Sequence, residues 1–297
     1  MALPTFLVVG APKAGTTALW HHLVAHPEVE MATVKEPRFW TREPGGLVRG
    51  DLDDRMPRAG TFDKGLAWYQ ALWTGSAPAR GEASTVYLAA PDAPSLVAEH
   101  LPGARVVAVL RDPVERMHSH YWQERRAGWA FGTFAEMVEA GHPRARYFEA
   151  ASHYREALDR WRAAVGEERM LVLTHDALAA RPAETVARVY RFLGVDAAFV
   201  PDTLGRRYNR QQAAPAPALM RRLERLRALA DGRLPAGLVR LAGRVRRAVV
   251  RRAATPGVRT PLDPALRARL VPRFLEDIAA AEAWTGEPLG AWRRTDG

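Results

Sequence analysis

A chain of 297 residues that is 47% hydrophobic can bury a sizeable core, as one large α/β domain or two small ones, and its net charge of +10 favours an anionic partner: nucleotide, nucleic acid, acidic glycan or lipid surface. The absence of cysteine excludes disulfides, thiolate nucleophiles and zinc-finger or iron–sulfur ligation. No apolar run reaches about 18 residues, so no transmembrane helix is expected. Only four residues precede the first strand-like run, which leaves no room for a signal peptide, and the expected compartment is the cytoplasm.

That first run is TFLVV (5–9), ending at Gly10, and Thr16 to about His26 reads as a helix. Between them lies GAPKAGTT (10–17). Its Gly10-x-x-x-x-Gly15 spacing suits a phosphate loop, because glycines let backbone N–H groups approach an anion and the helix start offers unpaired N–H groups and a positive dipole end. A nucleoside-triphosphatase loop places Lys after the second glycine and Ser/Thr next to hold Mg²⁺. Here Thr16 stands in the lysine's place and Lys13 lies inside the loop. Of 43 basic residues only Lys13, Lys35 and Lys64 are lysine, so lysine is not this chain's default cation.

After a second strand-like run comes KEPRFW (35–40), where Glu36 sits beside Lys35, Arg38 and two aromatics. Such a carboxylate can take a proton from a hydroxyl or amine, the plain alternative being a surface salt bridge. Residues 41–63, rich in Gly, Pro and charge, read as a long surface loop, and a helix follows near 64–73. The run ARVVAVLRDP (104–113) reads as a buried strand with Arg111 at its carboxyl end, where ligands of parallel α/β sheets bind. Asp112-Pro113 then starts a helix carrying Ser119, and an Arg with a hydroxyl suits a phosphate. His118 and His120 point apart on that helix, the nine histidines supply no ligand set, and no metal site is expected.

Residues 153–166 read as an amphipathic helix with Leu158, Trp161 and Val165 on one face. A strand over 169–174 and a helix with Val186, Val189, Tyr190 and Leu193 on one face follow. Beyond about residue 200 the chain turns helical and basic. Leu238, Leu241 and Val245 recur at i, i+3 and i+7, consistent with a membrane-surface helix or a solvated helix beside a cleft. The last helix starts at Asp263-Pro264, an N-cap followed by Pro at N1, with a kink or restart at Pro272. The simplest parse is one domain over 1–297: an α/β core (1–200) and a mostly helical C-terminal part (201–297).

In this order and at these distances the stretches resemble the sulfotransferases that use 3′-phosphoadenosine 5′-phosphosulfate (PAPS), nearer the carbohydrate and heparan-sulfate type and its bacterial relatives than the small cytosolic aryl type. PKAGTT is similar to that family's 5′-phosphosulfate loop and RDPVERMHSHYW to its 3′-phosphate motif. KEPRFW resembles its Lys-Glu-x-x-Phe-Phe segment, whose Glu is the base, and GEASTVYL (81–88) a Gly-Glu-Lys-[ST]-Pro-x-Tyr segment near the acceptor. The resemblance implies a P-loop-like three-layer α/β fold, with a central parallel sheet flanked by helices and a helical C-terminal addition. It implies PAPS as donor, 3′-phosphoadenosine 5′-phosphate (PAP) as product and no required metal. Lys13 and Glu36 would be catalytic. Lys13, Ala14, Gly15, Thr16 and Thr17 would hold the 5′-phosphosulfate, and Arg111 with Ser119 the 3′-phosphate. Arg38, Trp40, Glu82 and Tyr87 are candidates on the acceptor side, the acceptor being a glycan, glycolipid or small-molecule natural product.

Three positions depart from the family pattern. Arg38 stands where His is frequent, which suggests an acidic acceptor. Ala83 replaces a Lys and Thr85 a Pro. The late basic residue that completes the 3′-phosphate site has Arg251-Arg252 and Arg259 as candidates. Two rival functions are a P-loop small-molecule kinase and a non-catalytic binder of nucleic acid or anionic membrane. The kinase needs a Lys after the second glycine and an acidic Mg²⁺ ligand at a strand end, whereas the central strand ends in Arg111. The binder needs neither Lys13 nor Glu36.

Overall fold

The computed structural model describes residues 3–42, 60–126, 132–205 and 259–295, with the backbone of a short antiparallel pairing of Ala214–Pro215 with Ala254–Thr255. Its centre is a five-stranded parallel sheet of β1 (Phe6–Gly10), β2 (Val29–Met31), β3 (Ala79–Ala83), β4 (Arg105–Leu110) and β5 (Met170–Thr174), in the order β2-β3-β1-β4-β5. Strands β1 and β5 are buried at every position, as near-continuous apolar runs are when helices cover both faces. Gly81 in β3 leaves room for Phe6, whose ring would lie 2.2 Å from a Cβ there.

The flanking helices are α1 (Thr16–Ala25), α2 (Gly65–Gln70), α3 (Ala93–His100), α4 (Pro113–Arg126), α5 (Phe134–Glu139), α6 (Pro143–Ala150), α7 (Arg155–Val165), α8 (His175–Ala180) and α9 (Pro182–Leu193). At the C-terminal end, α10 (Pro264–Leu270) is capped by Asp263, whose carboxylate accepts the Ala265 N–H at 2.9 Å. A single turn over Val271–Phe274 follows, carrying Pro272, and α11 (Leu275–Thr285) begins after it. Leu266, Leu270, Phe274, Ile278 and Trp292 are buried in the same core as the sheet, so this end of the chain packs onto the α/β unit.

The strands, helices and restart read from the sequence at 5–9, 16–26, 153–166, 169–174, 183–195 and 263 onward are present within a residue or two, and the run 104–113 holds β4 as far as Leu110, with α4 starting at Pro113. The helix expected over 64–73 is shorter, a turn over Phe62–Lys64 and then α2. Strand β3 carries no strand signal in the sequence, because Arg80, Gly81 and Glu82 break any apolar run. Residues 43–59 of the expected surface loop, and Leu238, Leu241, Val245 and Arg251-Arg252 of the basic stretch, lie outside the described residues.

Chain direction gathers the motifs. Residues 10–17 follow β1, 35–40 follow β2, 84–88 follow β3 and 111–122 follow β4, all at the carboxyl edge of one parallel sheet. From β1 the sheet grows outward to β3 and β2 on one side and to β4 and β5 on the other. The loop after β1 therefore opens at the switch point where such sheets bind ligands.

Candidate active site

Gly15 caps α1 with φ 96°, and a Cβ there would lie 3.2 Å from Cδ2 of His175. No side chain caps α1 and no acidic residue occupies its first turn, so the N–H groups at its start face outward unpaired. Two arginines orient the loop from the other side. Arg116 Nη1 donates to the Pro12 carbonyl at 3.3 Å and Arg111 Nη1 to the Lys13 carbonyl at 3.2 Å. With carbonyls turned onto guanidinium groups, the intervening N–H groups are left for an anion. Ala14 corrects the expected donor set: its N–H bonds the Ala11 carbonyl at 3.2 Å, leaving Gly15, Thr16 and Thr17 as backbone donors.

Around this opening the cations outnumber their partners. Burial, reinforced by Arg126, Arg111, Arg116 and Lys35, pushes the Lys13 ammonium down to about 8. Glu115 is shared by Arg111 Nη2 at 3.2 Å and Arg259 Nη2 at 2.8 Å. Neither Lys13 nor Arg126 has an ion-pair partner among the described residues. Lys35 reaches back from the segment after β2 to donate to Thr17 Oγ1 at 2.9 Å. Burial and Arg259 hold His118 down to about 4, so it is neutral and packs beside Trp122 and Arg259. Ser119, half-buried one turn beyond Glu115, makes no side-chain hydrogen bond among the described residues.

Across the opening, Glu36 is a quarter exposed. Its Oε2 accepts from Arg38 Nη2 at 3.1 Å and its Oε1 from Thr85 Oγ1 at 3.2 Å. Arg38 keeps a buried Nε with no partner. Lys13, Glu36 and Arg38 are the three described non-glycine residues with positive φ, at 71°, 55° and 55°. Backbone held in the left-handed region costs of order 1–3 kcal/mol per residue and gathers where a site demands it. Here it gathers at one opening.

Trp40, Glu82 and Tyr87 lie beneath that opening, at 0, 1 and 0% exposure. Tyr69 and Tyr87 each donate to Glu82 Oε1 at 2.8 Å, and Ser84 Oγ donates to Oε2 at 2.6 Å. These three residues, expected to touch an acceptor, are instead sealed inside as support. Their hydrogen-bonding groups are taken by one another, which the sequence pattern alone does not reveal.

A family model described as "Sulfotransferase family" matches residues 4–199, which hold every element of this opening except Arg259. The chain belongs to the sulfotransferase family. This sulfotransferase is 33% identical over 150 residues to human carbohydrate sulfotransferase 15, covering 40% of this chain and 27% of that protein. It is 28% identical over 208 residues to mouse bifunctional heparan sulfate N-deacetylase/N-sulfotransferase 4, covering 65% of this chain and 22% of that one. The chain thus spans about a quarter of the length of these curated relatives. A solved sulfotransferase from Alicyclobacillus acidocaldarius aligns over 99% of this chain and 100% of its own, with a TM-score of 0.73 at 25% identity. The fold is theirs.

Within this sulfotransferase the structure brings together Lys13, Gly15, Thr16, Thr17, Glu36, Arg38 and Arg111 at one sheet edge, with Ser119 on the helix that follows β4. It adds Arg259, one of the two late candidates, through its pairing with Glu115. It also adds groups that motif reading missed: Arg116, Arg126, Lys35 and Thr85. Arg116 is fully buried, held by Ser152 Oγ at 2.6 Å and by the Phe148 carbonyl. It lies within RDPVERMHSHYW, but nothing in that stretch marks it as buried.

Proposed function

We propose that this sulfotransferase transfers the sulfuryl group of PAPS in line to a hydroxyl or amine of an acceptor, with PAP as the product. The observation that carries the proposal is the cluster of Lys13, Arg111, Arg126, Arg259 and Lys35 around the uncapped start of α1, which Glu115 partly neutralises through its ion pairs with Arg111 and Arg259. A cationic opening of this kind is stable with two phosphate-bearing groups in it, and the donor set is all N–H, ammonium, guanidinium and hydroxyl. Among the described residues no group of three or more His, Cys, Asp or Glu side chains is placed to hold a metal ion.

PAPS, when bound, supplies an activated sulfuryl group on a good leaving phosphate. The N–H groups of Gly15, Thr16 and Thr17 would hold the 5′-phosphosulfate, and Arg111, Ser119 and Arg259 the 3′-phosphate. Lys13 would sit at the bridging oxygen, where charge grows as the S–O bond breaks, and so favour the transition state over the ground state. Glu36 would accept the acceptor's proton as the new bond to sulfur forms. In the resting chain Arg38 engages Glu36 through one arm and leaves Nε without a partner, an arrangement suited to an acceptor bearing a carboxylate or sulfate. A glycan, a glycolipid and a small-molecule natural product all fit this chemistry, and the named relatives are carbohydrate and heparan sulfate enzymes.

Calorimetric binding of PAP, with AMP and ATP–Mg²⁺ as comparators, tests the reading. Metal-independent binding of PAP that is lost without the 3′-phosphate and weakened by Arg111→Ala is the expected result. Preference for ATP–Mg²⁺ would replace sulfuryl transfer with a kinase activity.

A further inference from the structure

Glu82 is a completely buried carboxylate, and among the described residues no cation pairs with it. It receives only hydroxyl groups: Tyr69, Tyr87 and Ser84. Burying an ionisable group with no countercharge is costly, so this arrangement calls for a reason beyond packing.

The reason lies in what each hydroxyl does with its oxygen. Tyr69 accepts the Trp40 indole N–H at 2.7 Å, Tyr87 accepts the Trp40 backbone N–H at 3.1 Å, and Ser84 accepts the Arg38 backbone N–H at 2.9 Å. A hydroxyl that spends its hydrogen on Glu82 turns its lone pairs to the other side. An ionised carboxylate only accepts, so one group sets the direction of all three relays. All three end on residues 38–40, the segment that follows Glu36 and holds Arg38 in the left-handed region. Thr85, next to Ser84, takes Glu36 itself from the same strand end.

We infer that Glu82 is a positioning residue for the reaction, fixing the backbone of residues 38–40 through Ser84, Tyr69 and Tyr87 and thereby the carboxylate of Glu36. The inference rests on the reading of Glu36 as the base. The titratable groups that face Glu82 are Tyr69 from α2, Tyr87 from the turn after β3, and Glu36. Burial pushes the Glu82 carboxyl up to about 7 against the pull of its three hydroxyl donors, with Glu36 adding to the rise. A protonated Glu82 donates from one oxygen, so the hydroxyl facing that oxygen must accept there, its own hydrogen loses the carboxylate, and the relay through it no longer has a fixed direction. Alignment of Glu36 is therefore lost as pH falls through that range.

The test measures release of PAP from PAPS with water as the acceptor, since the natural acceptor is not needed for it. A water oxygen bonds to sulfur as the S–O bond to the 5′-phosphate breaks, and the water proton passes to Glu36. Ser84→Ala and Glu82→Gln are each made in the native chain and in Glu36→Gln, with PAP affinity measured throughout. Glu36→Gln is expected to lose about 100-fold. Each supporting variant is expected to lose about tenfold in the native chain, under about twofold in Glu36→Gln, and to keep its PAP affinity. Glu82→Gln is also expected to flatten the acid limb of the native pH profile. Equal losses in both backgrounds, no loss at all, or loss of PAP affinity in both supporting variants would show that the network only holds the fold and overturn the inference. An undiminished rate in Glu36→Gln with PAP still bound would instead remove the base, and this inference with it.

Discussion

Burial, reinforced by four neighbouring cations, brings the Lys13 ammonium down to about 8, so part of it is neutral at mildly alkaline pH. A bound dianion neutralises those cations and accepts from the ammonium, which raises its pKa again. Binding of PAP should therefore take up close to one proton at about pH 9, and PAP affinity should fall as pH rises above 8. Calorimetry in two buffers of different ionisation enthalpy reads the uptake directly. Lys13→Ala should abolish it while leaving the fold intact. The loop lysine and Glu36 were both legible in the sequence, because each sits in a short motif whose spacing carries its chemistry. The support of Glu36 was not, since Tyr69, Glu82 and Ser84 meet only when α2, β3 and the segment after β2 pack together.

Helix α4 does two jobs on two faces. Glu115 and Ser119 face the opening, while Arg116 and His120 point inward under residues 10–13 and are fully or nearly buried. Its start depends on Asp112, whose Oδ1 accepts the Val114 and Glu115 N–H groups at 2.9 and 3.1 Å and whose Oδ2 accepts from Arg267 at 2.6 Å. Arg267 is 8% exposed, so losing its partner strands a buried charge as well as uncapping the helix. Asp112→Ala should cost about 3–5 kcal/mol, read as a fall in the urea midpoint, and Asp112→Asn should recover the capping part of that loss. The Asp-Pro start was legible as a helix beginning. The second duty of Asp112 was not, because Arg267 is 155 residues away.

At the scale of the molecule, residues 259–295 reach the opening as well as packing against the core. Arg259 arrives from beyond the basic stretch to share Glu115 with Arg111, while Arg267 holds the start of the same helix. If Arg259 grips the 3′-phosphate, Arg259→Ala should weaken PAP binding by about 10–100-fold and leave AMP binding nearly unchanged, the loss expected for one charge-assisted hydrogen bond. Equal weakening of both ligands would place Arg259 on the 5′ side or among the general cations of the cleft. Titration calorimetry separates the two cases.

The family resemblance implied that the sheet is parallel. Local chemistry alone determined an α/β frame, the glycine-spaced loop with its displaced lysine, the carboxylate after the second strand and the arginine at the end of the central strand. Each is written in a few adjacent residues: an apolar run, a glycine spacing, a capped helix start. Only the tertiary structure decided that Trp40, Glu82 and Tyr87 are buried, that the Ala14 N–H is already taken, and that Arg259 meets Glu115. Those outcomes depend on which hydrogen-bonding groups meet across long sequence separations and on how much water they lose when they do. Neither quantity is a property of a short stretch of chain.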